Sequence, residues 1–106
     1  MKAINFTRED IIHRASDKLN LTHDEMKIIL DTTLDTMAEL LTENKSNIRI
    51  ELRNFGIFEV KPTRAKPKAR NPKTNEVVYV PPRRKIHFRP GKIIRQELQQ
   101  EWVEKD

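Results

Sequence analysis

Apolar residues near the amino terminus recur at the spacing of an α-helix. This pattern predicts a helix over residues 7–19. Thr7 is suited to the N-cap position and Asp10 lies at the third helical position, while Phe6 precedes the cap as one half of a hydrophobic staple. Asn20 then interrupts the pattern. The apolar positions of this first helix are Ile11, Ile12, Ala15 and Leu19.

A second helix start follows at once. Thr22 and Glu25 form a capping box, and Leu21 and Met26 form its staple, which predicts a helix that continues to about Glu43. Its apolar residues occupy one broad face. They are Met26, Ile29, Leu30, Leu34, Met37, Leu40 and Leu41. Because this stripe is wider than the short first helix can cover, we expect part of the core to be intermolecular.

Beyond residue 47 the hydrophobic period changes to two, which is typical of half-buried strands. A tight connection at 54–56 separates the first two strands, and Pro81 and Pro82 stop ladder hydrogen bonding after the third. The alternating apolar positions are Ile48, Ile50 and Leu52, then Phe58 and Val60, then Val78 and Val80, and finally Ile86 and Phe88. Pro90 and Gly91 then open a last helix, in which Ile94, Leu98 and Trp102 recur every four residues.

These elements predict an α+β fold, with two N-terminal helices, an antiparallel β-sheet with a long protruding β-ribbon arm, and a C-terminal helix. The length fits a single domain over 1–106, with a body of about 1–60 and 84–106 and an arm of about 61–83. Without the arm, roughly 80 residues remain for the body, a size that is marginal alone. We therefore expect an intertwined dimer.

Charge is concentrated in the predicted arm and the segment that follows it. Residues 61–95 contain twelve Lys or Arg and one acid, Glu76, although the net charge of the whole chain is only +5. This is the electrostatic footprint of a nucleic-acid binder. The alternative is a solvated charge run without a specific partner, but these charges lie on strand-like sequence and not on a low-complexity tail. The basic turn at 70–75 favours an arm that grips a polyanion.

Several function classes are disfavoured. The chain has no cysteine, which excludes disulfides and thiolate catalysis, and it has no apolar run of membrane-spanning length. Its first ten residues lack the apolar segment of a signal peptide, so we expect the chain to stay in the compartment where it is made. His13, His23 and His87 lack metal-like spacing, so we expect neither a metal nor a cofactor. A nuclease needs clustered carboxylates beside the bound strand, which the basic region does not offer. We expect no enzyme, no small-molecule substrate and no membrane partner.

Three segments resemble the HU/integration host factor family of bacterial histone-like DNA-bending proteins. They are Phe55–Val60 (FGIFEV), Arg70–Thr74 (RNPKT) and Phe88–Lys92 (FRPGK), within a match that covers roughly residues 3–98. Asn54 and Asn75 stand where the family usually has glycine, and Asn best tolerates the left-handed backbone that glycine supplies. The segment 61–69 is about one residue longer than the commonest family form, and an extension at 99–106 passes the usual end.

The resemblance implies an arm that wraps a duplex along its minor groove. Strands of about ten residues reach on the order of 30 Å. Arg70 and Asn71 would enter the groove, and Pro72 at the tip would wedge between base pairs; from the residues alone, Pro72 more often only shapes a turn. Phosphate contacts along the arm are assigned to Arg64, Lys66, Lys68, Arg70 and Lys73.

The resemblance also implies a cationic body surface below two paired arms. The residues assigned to it are Arg53, Arg83, Arg84, Lys85, Arg89 and Lys92. Phe55, Phe58 and Phe88 are interpreted as core residues and not as stacking platforms. The expected partners are double-stranded DNA and an identical or homologous subunit, and the expected location is the nucleoid in the bacterial cytoplasm. An RNA-binding module and a sequence-preferring regulator like integration host factor stay open as alternatives.

Overall fold

The computed structural model describes residues 3–103, and the chain divides into two compact units, residues 1–40 and residues 41–106. The predicted single domain over 1–106 stays a prediction, and the last three residues of the 99–106 extension lie outside the described part. Within residues 3–103, no helix has both the length and the apolar character that crossing a membrane requires.

The first unit consists of α1 (Arg8–Leu19) and most of α2 (His23–Leu41). The Thr7 N–H donates to Asp10 Oδ2 at 2.7 Å, and the Thr22 N–H donates to Glu25 Oε1 at 2.9 Å, so both predicted helix starts are confirmed. α2 ends at Leu41, two residues before the predicted end. A hydrogen-bonded ion pair between Arg8 and Asp31 joins the two helices at 2.9 Å.

The link between the two helices is fixed by a left-handed residue and a buried serine. Asn20 has φ 56° and ends α1, and the Leu21 N–H donates to the Ser16 carbonyl at 3.0 Å. His13 and His23 meet edge to face with ring centroids 4.1 Å apart. This contact could not be predicted from the residue pattern because it depends on the angle between the helices.

Five strands and a short helix form the second unit. β1 (Ile48–Leu52), β2 (Gly56–Pro62) and β5 (Arg84–Pro90) make an antiparallel sheet in the order β1-β2-β5, while β3 (Lys66–Arg70) and β4 (Val77–Val80) make a separate antiparallel ribbon. α3 spans Lys92–Gln99. Ile50 pairs with Phe58, which pairs with Phe88, so the apolar positions share one face of the sheet. The predicted α+β class is confirmed.

Two glycines, Gly56 and Gly91, allow the segments Phe55–Val60 and Phe88–Lys92 to approach each other closely. A Cβ on Gly56 would lie 2.6 Å from the Phe88 ring, and one on Gly91 would lie 2.7 Å from the Asn54 carbonyl oxygen. The Gly91 N–H also donates to the Phe55 carbonyl oxygen at 2.7 Å. These two segments therefore have a structural role, because they lock the β1–β2 turn against the start of α3.

Of the three phenylalanines predicted to be core residues, Phe58 is half-buried, whereas Phe55 and Phe88 are exposed in the single chain. Their rings meet at tilted angles, with centroids 4.8 Å apart for Phe58 and Phe88 and 5.7 Å apart for Phe55 and Phe88. Yet Phe55 keeps 50% of its surface exposed and Phe88 keeps 43%. The alternation correctly identified a common apolar face, but the chain alone does not cover that face.

The predicted continuation of the last helix through Trp102 is also wrong. α3 ends at Gln99, and Gln100 has the extended dihedrals φ −67° and ψ 152°. Leu98 is 77% exposed and Trp102 is 73% exposed. An apolar stripe with nothing to pack against adds little to helix stability, and short helices are marginal without tertiary support.

Candidate nucleic-acid interface

The basic ribbon continues directly from two strands of the sheet. Pro62 and Arg84 form the last β2–β5 pair, and Thr63 and Arg83 then link the strands. The Thr63 N–H donates to the Arg83 carbonyl oxygen at 2.7 Å, and the Arg83 N–H donates to Thr63 Oγ1 at 3.0 Å. Lys61 and Pro62, which the sequence grouped with the arm, are thus paired within the sheet, and the ribbon starts at Thr63.

One extra residue interrupts the β3–β4 ladder. Lys66 pairs with Val80 and Ala69 pairs with Val78, so three steps along β3 match two steps along β4. This is the pattern of a β-bulge. Pro67 lies within it, at a kind of site that tolerates a residue without an N–H. The segment 61–69, which was expected to be about one residue longer than the commonest family form, thus contains an irregular pairing.

The bulge distributes cations over both faces of the ribbon. Paired residues share a face, so Lys66 and Ala69 lie on one face, and Arg70, which pairs with Val77, lies on the other. Uninterrupted alternation from Lys66 would have placed Arg70 on the same face as Lys66.

The tip of the ribbon is a turn closed by its own hydrogen bonds. The Asn71 N–H donates to the Glu76 carbonyl oxygen at 2.8 Å, and the Asn75 N–H donates to the Asn71 carbonyl oxygen at 2.7 Å. Asn71 Oδ1 accepts from the Lys73 N–H at 2.9 Å, which is an Asx-turn. Asn75 has φ 60°, so Asn supplies the left-handed residue as expected. Pro72 and Lys73 are exposed at the apex.

The Arg70 side chain also bonds across the turn to Asn75. Its Nη1 donates to the Asn75 carbonyl oxygen at 3.2 Å and lies 3.4 Å from Asn75 Oδ1. A guanidinium has five donors, and these contacts use a single nitrogen. The remaining donors can still reach a phosphate or a base edge.

The Arg84 side chain is engaged by backbone carbonyl oxygens and is therefore not freely available to bind a DNA phosphate. Its Nη1 donates to the Glu43 carbonyl oxygen at 2.6 Å and to the Lys45 carbonyl oxygen at 2.9 Å. Arg84 therefore ties the root of the ribbon to the loop that follows α2. The sequence pattern could have indicated this role, because Arg84 lies on the same side of its strand as the apolar Ile86 and Phe88, and opposite to Lys85.

Acidic residues accompany part of the predicted body surface. Arg89 lies 2.5 Å from Glu59, whose side chain is only 16% exposed, and Lys61 lies 3.7 Å from the same carboxylate. The charge of Arg89 is therefore partly balanced within the sheet. Sequence reasoning missed Glu59 because it lies just before the basic segment.

The structure separates the thirteen predicted site residues into groups. Arg70, Asn71, Pro72 and Lys73 share the tip, and Arg64, Lys66, Arg83, Arg84 and Lys85 share the root. Lys68 lies in the bulge between them. Arg53 lies in the β1–β2 turn and Lys92 begins α3, at the opposite end of β2, on the order of 20 Å from the root. Arg89 lies opposite Ile57 near that same end.

The described residues contain no candidate metal site. Within residues 3–103, no three His, Asp or Glu side chains converge in a group that could hold a metal ion.

Comparison with known proteins places the chain among bacterial DNA-binding proteins. The family model described as "Bacterial DNA-binding protein" matches residues 6–99. Integration host factor subunit alpha of Caulobacter vibrioides is 33% identical over 98 residues, which cover 92% of this chain and 94% of that protein. DNA-binding protein HU of Thermotoga maritima is 32% identical over 92 residues, which cover 87% of this chain and 98% of that protein.

A solved structure shares the fold. The HU chain of an Anabaena HU–DNA cocrystal structure superposes with a TM-score of 0.77 at 27% identity, and the match covers 91% of this chain and all of that one.

Proposed function

We propose, because this chain belongs to the bacterial DNA-binding protein family, that it is a non-enzymatic architectural protein that binds the minor groove of duplex DNA and bends it. The observation that carries the proposal is the ribbon itself. It is a two-stranded basic projection whose rigid, self-bonded tip exposes Pro72. The similarity to the protein of an HU–DNA cocrystal supports the choice of DNA as the polyanion.

Pro72 is the wedge in this mechanism. The Asx-turn and the Asn75-to-Asn71 hydrogen bond hold the apex in one conformation, so little conformational entropy is lost when the ring inserts between base pairs. Unstacking one base step costs on the order of a few kcal/mol in wedging proteins generally, HU among them, and the surface that the bent duplex contacts offsets this cost.

Asn71 suits the floor of the groove. Its Oδ1 accepts the Lys73 N–H, so the side-chain NH₂ group is the part of the amide that can donate to DNA. The minor groove of an A·T pair presents only acceptors, namely adenine N3 and thymine O2. The internal hydrogen bond thus selects the end of the amide that matches the groove.

The cations of the ribbon supply affinity without sequence information. Lys66 and Arg70 project from opposite faces, so a ribbon lying in the groove can reach phosphates of both strands. Lys68 and Lys73 add further charge along the arm, and Arg64, Arg83 and Lys85 add it at the root. Arg53, Arg89 and Lys92 extend a second, more distant contact surface on the body.

We propose an intertwined dimer that carries two such ribbons. Within residues 3–103, only Ile12, Met26 and Val60 are buried apolar side chains. The stripe of α2 stays open, with Ile29 46% and Leu40 44% exposed. A chain with so small a buried core needs a partner to cover these surfaces.

The identity of the second subunit has two candidates. The similarity to HU favours an identical subunit, and the similarity to a protein named as a subunit of integration host factor favours a homologous one. Either assembly acts on DNA, so we expect to find it at the bacterial nucleoid.

A duplex labelled with a donor and an acceptor dye at its ends tests the function. Binding should raise the energy-transfer efficiency, and affinity should fall steeply with salt, with a slope of about 0.9 for each phosphate contacted. Duplex DNA should also outcompete structured RNA. An unchanged transfer efficiency, a nearly flat salt dependence or a preference for RNA would each contradict the proposal.

A further inference from the structure

A cleft at the root of the ribbon has the composition of an anion site. It encloses about 330 Å³, and its lining includes Arg64, Lys66, Arg83, Arg84 and Lys85. Among the described residues that line it, none is acidic. The volume lies at the lower end of the range for small-ligand sites, roughly 300–1,000 Å³.

The positive charge of this cleft is not balanced inside the chain. Lys85 stands directly opposite Lys61 in the β2–β5 ladder, and like charges in that relation destabilise a sheet even though Lys61 also lies 3.7 Å from Glu59. None of the ion pairs formed within residues 3–103 involves Arg64, Arg83 or Lys85. An external anion would relieve this repulsion.

The backbone on both sides of the cleft and one of its arginine side chains are held in place before any ligand arrives. The paired hydrogen bonds between Thr63 and Arg83 fix the backbone on both sides of the root. Arg84 is anchored through Nη1 to the Glu43 and Lys45 carbonyl oxygens. Preorganised donors lose less entropy on binding than mobile surface lysines do.

We propose that this cleft binds a free oligophosphate, meaning a compact chain of at least three phosphate groups, either inorganic or part of a nucleotide. Such a chain enters a concave cleft and places several charges within it, whereas the phosphates of a duplex are spread along a convex rod. Bound oligophosphate then competes with DNA for the arm root. The binding is independent of the proposed DNA function, and only the competition rests on it.

Calorimetric titration of the full chain with sodium tripolyphosphate tests the site, with orthophosphate and ATP titrated in parallel. We expect saturable binding of tripolyphosphate and much weaker binding of orthophosphate. If ATP binds as tightly as tripolyphosphate, the site recognises the phosphate chain alone. If ATP binds more tightly, the site also recognises the nucleoside.

Two double variants that remove the same charge locate the site. Arg83→Gln with Lys85→Gln should weaken tripolyphosphate binding by about tenfold or more, while Arg70→Gln with Lys73→Gln at the tip should change it little. Thermal unfolding checks that both variants stay folded. Equal weakening by the two pairs, or no saturable binding by the parent chain, would overturn the cleft as a site.

DNA binding by the same proteins separates this inference from the proposed function. A chain that binds tripolyphosphate but not DNA keeps the site and refutes the DNA function. A chain that bends DNA and shows only diffuse, tip-dependent phosphate binding refutes the site and keeps the function.

Discussion

Asn54 and Asn75 hold turns that glycine usually holds in the HU/integration host factor family. Their φ values are 69° and 60°, in the left-handed region where a side chain with a Cβ is strained. Asn tolerates this region because its short side chain bonds locally, as the Asn residues of the tip turn do. The sequence alone predicted both turns correctly, since the departure from glycine was to the residue that best replaces it.

Replacing Asn54 with Ala should lower the free energy of unfolding by roughly 1 kcal/mol, because Ala lacks this tolerance. Asn54→Gly should cost little or should stabilise the turn. Urea unfolding measures both, and Asn5→Ala serves as the control at an exposed asparagine outside the left-handed set. Equal losses for the Ala and Gly variants would show that φ is not the cause.

The capping carboxylates predict a specific pH dependence. Hydrogen bonds from the Thr7 and Thr22 backbone N–H groups lower the pKa of Asp10 and Glu25 below their ordinary values of 3.8 and 4.5. Between the lowered and the ordinary pKa values, the unfolded chain therefore binds more protons than the folded chain does. The stability that the caps contribute is full above about pH 4.5 and is lost as the pH falls through the lowered pKa values.

Unfolding free energies measured from pH 6 to pH 3 test this dependence. The double variant Asp10→Asn and Glu25→Gln should show a shallower loss than the parent chain. Asp24→Asn, which removes an acid from the same first turn of α2 without touching the capping box, should not. Parallel curves for parent and double variant would exclude the capping carboxylates as the cause.

At the scale of elements, the position of the ribbon is set by contacts at its root, while its affinity for DNA is proposed to come from its charges. Helix starts, strand alternation and the turn could be predicted because each depends on residues near one another in sequence. The bulge and the anchoring of Arg84 could not, because the partners of Arg84 lie about 40 residues away in sequence. The sequence suggested an extra residue somewhere within 61–69, and the irregular pairing with β4 lies between Lys66 and Ala69.

Arg83 and Arg84 should therefore give different phenotypes when each is changed to Gln. Arg83→Gln should reduce the salt slope of DNA binding by about 0.9 for each phosphate that the variant no longer neutralises. Arg84→Gln should leave the slope nearly unchanged but loosen the arm root, which hydrogen exchange at Thr63 and Arg83 would detect. Identical salt slopes for the two variants would contradict the anchoring role of Arg84.

At the scale of the whole molecule, the single chain leaves its apolar surfaces open. The broad stripe of α2 indicated an intermolecular core from sequence alone, and the half-exposed phenylalanines of the sheet agree with it. The sequence overestimated how much of this surface one chain could cover itself, because periodicity identifies an apolar face but not what covers it. For the same reason, the periodicity of Ile94, Leu98 and Trp102 indicated a helical face but not whether other residues would pack against it, and α3 ends at Gln99.

Light scattering should give twice the 12.6 kDa mass of the chain at micromolar concentration. Leu34→Glu, which places a charge in the stripe of α2, should abolish the dimer and lower thermal stability. Lys27→Glu changes charge at an exposed position of the same helix and should preserve both. A monomeric parent chain, or a Leu34→Glu variant of unchanged mass and stability, would contradict the dimer.

We propose that bending of the duplex depends above all on Pro72 at the tip of the ribbon. The most direct measurement is the energy transfer between dyes at the two ends of a duplex, compared for the parent chain, Pro72→Ala and Pro81→Ala, which is a matched change at an exposed proline of the root. We predict a clearly smaller bend for Pro72→Ala and an unchanged bend for Pro81→Ala. A Pro72→Ala variant that bends and binds the duplex as the parent chain does would contradict this role of the proline.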